Sequence, residues 1–248
     1  MGKPWNLTPD QWAGVLGAQS DAAQAAQRLR NNGHLPWAEA LLRETEGARS
    51  ILDLGCGHGE NSALLALQGR ETTLLDWSEE NLESCERLFH ALGRQGTFVR
   101  GDMTQPLPFS PAKFDVIFSC GVFEYFSDDQ VVGILKEAFR VAKKKVVVMV
   151  PNACAVLYRL GMWHMRVRKQ WPWGGERPFV SLRPYFRAAG FEGFREFTVA
   201  ARHSLNFLTM PGGRAAQRIL RTAFGPQDHS RPARLRQGYL LVAVGEKG

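Results

Sequence analysis

The stretch Ser50-Ile-Leu-Asp-Leu-Gly-Cys-Gly-His-Gly-Glu60 decides the fold. Ile51, Leu52 and Leu54 make a short apolar strand, which runs directly into Gly55, Gly57 and Gly59. A strand, a glycine turn and a helix from Glu60 to Gln68 make the first half of a βα unit. Glycine permits the tight turn and lets a ligand approach the backbone. In open α/β sheets that ligand sits at the carboxyl end of the strand. The spacing is G-x-G-x-G, one residue shorter than the pyrophosphate fingerprint. Asp53 stands two residues before the first glycine, where a carboxylate suits an ammonium and repels a pyrophosphate.

The alternation continues on both sides. Residues 72–75, 97–100, 114–118 and 145–150 read as further strands. Ser78 opens a helix to Leu92 with acids in its first turn. Asp128–Ala142 repeats apolar residues at helical spacing. Five strands alternating with helices predict right-handed βαβ units and a mostly parallel sheet. Before the first strand, residues 5–47 read as helical. After Pro151 the rhythm breaks into an irregular helix over 152–170, a turn-rich Trp171-Pro-Trp-Gly-Gly175 and a short helix over 181–189. A strand at 194–200, a helix at 213–223 and a last strand at 238–244 follow. The whole chain, 1–248, is read as a single domain. It has a helical lid (1–48), a cofactor-binding core (49–150) and substrate-side insertions (151–193 and 201–237).

Three acids stand at the ends of three successive strands. Asp76 ends the second strand, where a carboxylate accepts from a ribose diol. Asp102 follows the third strand and suits an adenine amino group, with Met103 placed to pack on the ring. Together with Asp53 they describe a nucleoside with an amino-acid tail and no phosphate.

This set resembles the class I S-adenosylmethionine-dependent methyltransferases, over about residues 50–150. The matching motifs are Leu-Asp-Leu-Gly-Cys-Gly-His-Gly, Leu-Leu-Asp-Trp-Ser, Gly-Asp-Met and Phe-Asp-Val-Ile-Phe-Ser. The resemblance implies a Rossmann-like α/β fold with a seven-stranded sheet, order 3-2-1-4-5-7-6, last strand antiparallel. It places Asp53 and Gly55 by the methionine part of S-adenosylmethionine, Asp76 on the ribose and Trp77 against the adenosine, and makes Cys56, Gly57 and Gly59 further cofactor-binding residues. Asp102 and Met103 hold the adenine, and Ser119 and Cys120 face the methionine amino group. No metal is implied, and the product is S-adenosylhomocysteine. Small-molecule members often carry Val-Leu-Glu-His after strand four; here Val122-Phe-Glu-Tyr125 stands instead. Tyr125 therefore replaces a histidine base. Glu124, Tyr125 and His164 are the candidate catalytic residues.

Composition narrows the rest. The 248 residues are 44% hydrophobic and 22% charged, which excludes a disordered chain. No apolar run approaches the roughly 20 residues of a membrane span. No signal peptide is read at the N-terminus, and four scattered cysteines fit neither a disulfide framework nor a zinc site. A cytoplasmic protein is the expectation, with peripheral contact at the inner face of a membrane as a candidate addition. The net charge of +7 is uneven. From Pro151 onward there are 16 Lys/Arg against 5 Asp/Glu.

That basic half suits an anionic membrane, an acidic substrate or RNA. RNA is the weaker partner, because the Asn/Asp-Pro-Pro-Tyr segment and a Pro-Cys nucleophile are both absent. A non-catalytic cofactor-binding subunit is the remaining alternative. The expected activity is methyl transfer to O, N or C of a small apolar or aromatic acceptor, with an acidic or membrane-associated acceptor as the further candidate. The lid tryptophans (Trp5, Trp12, Trp37) and cap tryptophans (Trp163, Trp171, Trp173) are expected to exclude water. The sequence assigns no oligomeric state.

Overall fold

The computed structural model describes residues 21–31, 33, 35–223 and 237–247. Trp5 and Trp12 lie outside the described residues, as do most of the expected loose segment after the 213–223 helix.

Two helices, α1 (Ala22–Arg30) and α2 (Ala38–Glu44), precede β1 (Ser50–Leu54). Then β1, α3 (Glu60–Leu67), β2 (Glu71–Asp76), α4 (Glu79–Leu92) and β3 (Thr97–Arg100) alternate. They are followed by β4 (Phe114–Cys120), a 3₁₀ turn (Phe123–Tyr125), α5 (Asp128–Val141) and β5 (Ala142–Pro151). The remainder is α6 (Val156–Val167), α7 (Arg183–Ala188), β6 (Gly193–Val199), a 3₁₀ helix (Ala201–Phe207), α8 (Gly213–Ala223) and β7 (Leu240–Glu246). The strands form one seven-stranded sheet in the order β3-β2-β1-β4-β5-β7-β6. The first five are parallel, and β7 runs antiparallel to both β5 and β6. The implied topology is thus the observed one.

Both sheet faces are covered, and the strands show why. Along β5, Val146, Val148 and Val150 join the core cluster beneath α5 and α7, while Val147 and Met149 join the cluster on the other face with Leu41 of α2. A third cluster packs α1, α3 and α4 through Leu29, Leu64, Leu88 and Phe89. Helix starts are fixed locally. Ser78 Oγ accepts from the Asn81 amide at 3.3 Å, and Ser127 and Gln130 form a reciprocal capping box. Arg195 on β6 ion-pairs with the buried Glu44, which ties α2 to the sheet edge.

Two boundaries differ from the sequence expectation. β5 begins at Ala142, directly at the end of α5, because Ala142 pairs with Phe114 of β4. Residues 201–207 form a 3₁₀ helix inside what reads as an irregular insertion. Strand order reverses between β1 and β4, so the loops leaving their carboxyl ends diverge and open a crevice.

Candidate functional site

A cavity of about 1360 Å³ occupies that crevice. The loops after β1 to β4 line one side, and the insertions after β5 line the other. Typical small-molecule pockets measure roughly 300–1,000 Å³, so this one has room for more than one small molecule.

Gly55 has φ +76°, and a Cβ there would stand 2.8 Å from Met103 Cε and 2.9 Å from Val122. Only glycine fits this turn, and it leaves the floor of the cavity as bare backbone. Gly59 caps α3 at φ +72°, where a Cβ would meet Cys85 Sγ at 2.7 Å. Asp76 organises the wall beside this loop. Its Oδ2 accepts the Gly57 amide at 3.0 Å, and its Oδ1 accepts from the Ser78 amide at 3.0 Å and Asn81 Nδ2 at 3.2 Å. A carboxylate offers about four lone-pair sites, so Asp76 keeps capacity for a ligand. Burial raises its pKa, opposed by these hydrogen bonds. Trp77 is 37% exposed at the cavity rim, and Met103 is buried beneath. Asp102 Oδ1 accepts from the Thr104 amide and hydroxyl, both at 2.8 Å, which fixes the loop after β3.

Of the residues singled out from the sequence, Gly55, Cys56, Gly57, Gly59, Asp76, Trp77, Asp102, Met103 and Cys120 all line the cavity, as do Glu124 and Tyr125. Three do not. Asp53 is buried behind the glycine turn and accepts from Ser62 Oγ at 2.7 Å. Ser119 is buried and donates to the Leu54 carbonyl at 2.7 Å, so it stitches β4 to β1. His164 stands beside the inward face of α6, which is marked by Tyr158, Gly161, Met162 and Met165, and it is not among the residues lining this cavity. The tryptophans also divide. Trp37 and Trp173 line the cavity, Trp171 packs edge-on against Trp173 at 4.9 Å, and Trp163 points outward, 62% exposed.

Burial pushes the Asp53 carboxyl up to about 7, against the Ser62 hydrogen bond and helped by the charge of Asp76. The folded chain therefore holds this proton more tightly than the unfolded chain. Its contribution to stability is full below the ordinary carboxylate range and is lost as pH rises to about 7. Asp53→Asn keeps an acceptor for Ser62 and cannot ionise. Thermal melts should therefore favour the variant over wild type increasingly between pH 4 and 8, by on the order of a few kcal/mol at the top. A difference that stays constant across that range contradicts this.

Three lining residues carry no signal in the sequence. Glu176 follows the turn-rich segment and is 4% exposed, and its carboxylate accepts from the Tyr158 hydroxyl. His203 lies on the 201–207 helix with its ring 5.8 Å from Trp37 and 5.0 Å from Tyr239. Burial lowers the His203 pKa, so its imidazole is neutral near pH 7. Tyr239 sits just before β7 and completes this aromatic wall. The Cys120 thiol is pushed far up by burial and by Glu124, which removes it as a thiolate nucleophile.

No lysine or arginine lines the cavity among the described residues, whereas Glu60, Asp76, Asp102, Glu124 and Glu176 do. A pyrophosphate would meet only carboxylates there. A sulfonium nucleoside fits: its cation meets acids, its ribose diol meets Asp76, and its tail has the bare Gly55–Gly59 backbone. No group of three or more metal-ligating side chains occurs among the described residues.

Comparison with known proteins agrees. Residues 51–145 match the family model described as a methyltransferase domain. Over 80 residues the chain is 45% identical to the malonyl-[acyl-carrier protein] O-methyltransferase of Herminiimonas arsenicoxydans, covering 32% of this chain and 28% of that one. Over 82 residues it is 36% identical to the fatty-acid O-methyltransferase of Mycolicibacterium smegmatis, again covering 32% and 28%. The chain spans less than half the length of the curated relatives it matches. Among solved structures, a SAM-dependent methyltransferase of Thermotoga maritima superposes with TM-score 0.66 at 16% identity, over 96% of this chain and all of that one. Magnesium protoporphyrin IX methyltransferase of Synechocystis superposes with TM-score 0.54 at 13% identity, over 96% and 90%. Residues 51–145 thus match a methyltransferase domain, and the whole described sheet has the fold of S-adenosylmethionine-dependent methyltransferase structures.

Proposed function

We propose that the chain transfers the methyl group of S-adenosylmethionine to a small aromatic or apolar molecule. One observation carries this reading. One cavity is lined both by the acids and bare glycine turn after β1 to β3 and by Trp37, Trp173, Phe207 and Tyr239. In this reading Asp76 holds the ribose, Trp77 and Met103 sandwich the adenine, and Asp102 terminates it. When bound, S-adenosylmethionine supplies an already activated methyl group on a sulfonium. The protein's work is then to position the acceptor and exclude water. Trp37, Trp173, Phe207 and Tyr239 form the apolar barrier. His203, neutral and inside the cavity, can take a proton from the acceptor; His164 is not placed to do so. Tyr125 is buried, and its raised pKa keeps its hydroxyl protonated for orienting a ligand. The test is incubation with methyl-tritiated S-adenosylmethionine and separate pools of aromatic amines, alcohols, acids and bulk RNA. Label in a small-molecule pool is the expected result. Label confined to RNA overturns the reading.

We further propose that α6 seats the protein on an anionic membrane surface. Val156, Leu160, Trp163 and Val167 form one outward stripe, 62%, 44%, 62% and 66% exposed. Residues 156–170 contain Arg159, Arg166, Arg168 and Lys169 and no acid. An apolar stripe centred on tryptophan and edged by cations matches an interfacial helix. Met165 of the same helix lines the cavity, so the surface and the acceptor compartment share one element. No helix among the described residues is long and apolar enough to cross a membrane. Flotation should show binding to phosphatidylglycerol vesicles that weakens with salt and with Trp163→Glu. Equal binding to phosphatidylcholine vesicles, or none, overturns it.

A further inference from the structure

Glu124 and Glu176 are 2% and 4% exposed, and both line the aromatic end of the cavity. The fold brings them together from distant segments. Glu124 sits on the 3₁₀ turn after β4, and Glu176 sits on the insertion beyond α6. The Arg177 amide donates to the Glu124 carbonyl at 3.1 Å, which locks the two segments side by side. Glu176 accepts from the Tyr158 hydroxyl, whereas Glu124 Oε2 is buried with no hydrogen-bond partner.

No cation forms a salt bridge to either carboxylate among the described residues, although the Arg166 charge eases ionisation of Glu176 from a distance. The Arg177 guanidinium is turned to Asp128 Oδ1 at 2.6 Å and to the Phe126 carbonyl at 3.2 Å. Arg166 donates to the main-chain oxygen of Glu176 at 2.7 Å, not to its carboxylate. Burial first, and then the charge of Glu176, raises the cost of ionising Glu124, and no Lys or Arg among the described residues lines the cavity. A buried polar atom left without a partner is costly, so an unpaired carboxylate oxygen in a cavity marks where a ligand donor belongs.

The surrounding surface specifies the ligand further. Trp173, Phe207, Tyr239 and Trp37 present ring faces and edges around the pair, and aromatic faces attract cations. Among the described residues no Lys or Arg of the second half of the chain lines the cavity; Arg166 acts on Glu176 from outside it.

We infer that the acceptor is an amine that enters as an ammonium ion, held between the Glu124–Glu176 pair and the aromatic wall. This rests on the proposed methyl transfer and gives its acceptor atom as nitrogen. It departs from the expectation of an acidic acceptor, which would set a third negative group beside two buried acids. Before it can react, the nitrogen must be freed of one proton. R–NH3⁺ and a carboxylate of the pair become R–NH2 and a carboxyl, which keeps both proton and charge in balance.

The test uses the full chain saturated with S-adenosylhomocysteine and two matched probes, phenethylamine and 3-phenylpropionate, titrated by calorimetry. Phenethylamine should bind, and 3-phenylpropionate should bind at least about tenfold more weakly. Glu124→Gln and Glu176→Gln should each weaken phenethylamine by about ten- to a hundredfold, the worth of one charge-assisted hydrogen bond. Both variants should still bind S-adenosylhomocysteine, which shows that they fold. If wild type fails to bind S-adenosylhomocysteine, the methyltransferase reading fails with everything resting on it. If it binds S-adenosylhomocysteine but shows no preference for the amine, or binds neither probe, the amine inference alone is overturned. An amine affinity unchanged in both variants overturns it equally.

Discussion

Asp76→Ala is expected to weaken S-adenosylhomocysteine binding by about ten- to a hundredfold. On the proposed reading its carboxylate accepts one hydrogen bond from the ribose diol, beside the three it takes from Gly57, Ser78 and Asn81. Each such bond to a charged group contributes about 1.5–3 kcal/mol, and about 1.4 kcal/mol is a tenfold change. The substitution also orphans the Gly57 and Ser78 amides and Asn81 Nδ2, so the glycine turn and the start of α4 lose their common anchor. The melting temperature should fall along with the affinity, and binding measured well below the melt separates the two effects. Trp77→Ala provides the second arm. Trp77 is 37% exposed, so its loss costs the fold little. It should still weaken binding by about tenfold if the ring stacks on the adenine. Unchanged affinity in both variants would place the nucleoside elsewhere.

Gly161→Ala should destabilise the cap. Gly161 lies inside α6, where alanine is ordinarily preferred by about 1 kcal/mol. Here, however, a Cβ would fall 2.2 Å from the Phe207 carbonyl oxygen and 2.6 Å from its carbon. That oxygen is backbone and cannot swing aside, so α6 must part from the 201–207 helix. Overpacking of this kind costs about 3 kcal/mol, leaving a net loss of about 2 kcal/mol. For a chain of this length that lowers the melting temperature by roughly 4–8 °C. Because the 201–207 helix carries His203, Asn206 and Phe207 into the cavity, acceptor binding should weaken more than cofactor binding. A variant that melts at or above the wild-type temperature would show that helix propensity wins and the contact is loose.

The sheet was legible because its strands are short apolar runs closed by glycine or acid, and because the helices between them repeat at 3.6 residues. The start of β5 was not legible. Lys143 and Lys144 read as polar loop, yet they are exposed positions on a strand whose pairing continues to Ala142. The glycine turn and Asp76 were readable since each is needed by one local strand end. Asp53 misled for a local reason: its side chain points into the packing beneath α3, where Ser62 was the hidden partner. The acceptor compartment was not legible, because nothing local links Glu124 to Glu176 or Trp37 to His203. Those pairs exist only once α2, the 3₁₀ turn after β4 and the two insertions converge over the sheet. Helical spacing did contain one unused warning. The inward arc of α6 runs through Tyr158, Gly161, Met162 and Met165 and leaves His164 to the side.

The charge distribution takes on a different meaning in this setting. Among the described residues, the Lys and Arg side chains after Pro151 lie outside the cavity, while the cavity itself is lined by acids. The basic surface concerns what the protein docks on; the acidic interior concerns what it binds.

The central claim is that the crevice between β1 and β4 binds S-adenosylmethionine. Titration of the wild-type chain with S-adenosylhomocysteine in a calorimeter tests it most directly. One saturable site per chain, weakened in Asp76→Ala, is the predicted result. No detectable binding to a folded wild-type chain would contradict it.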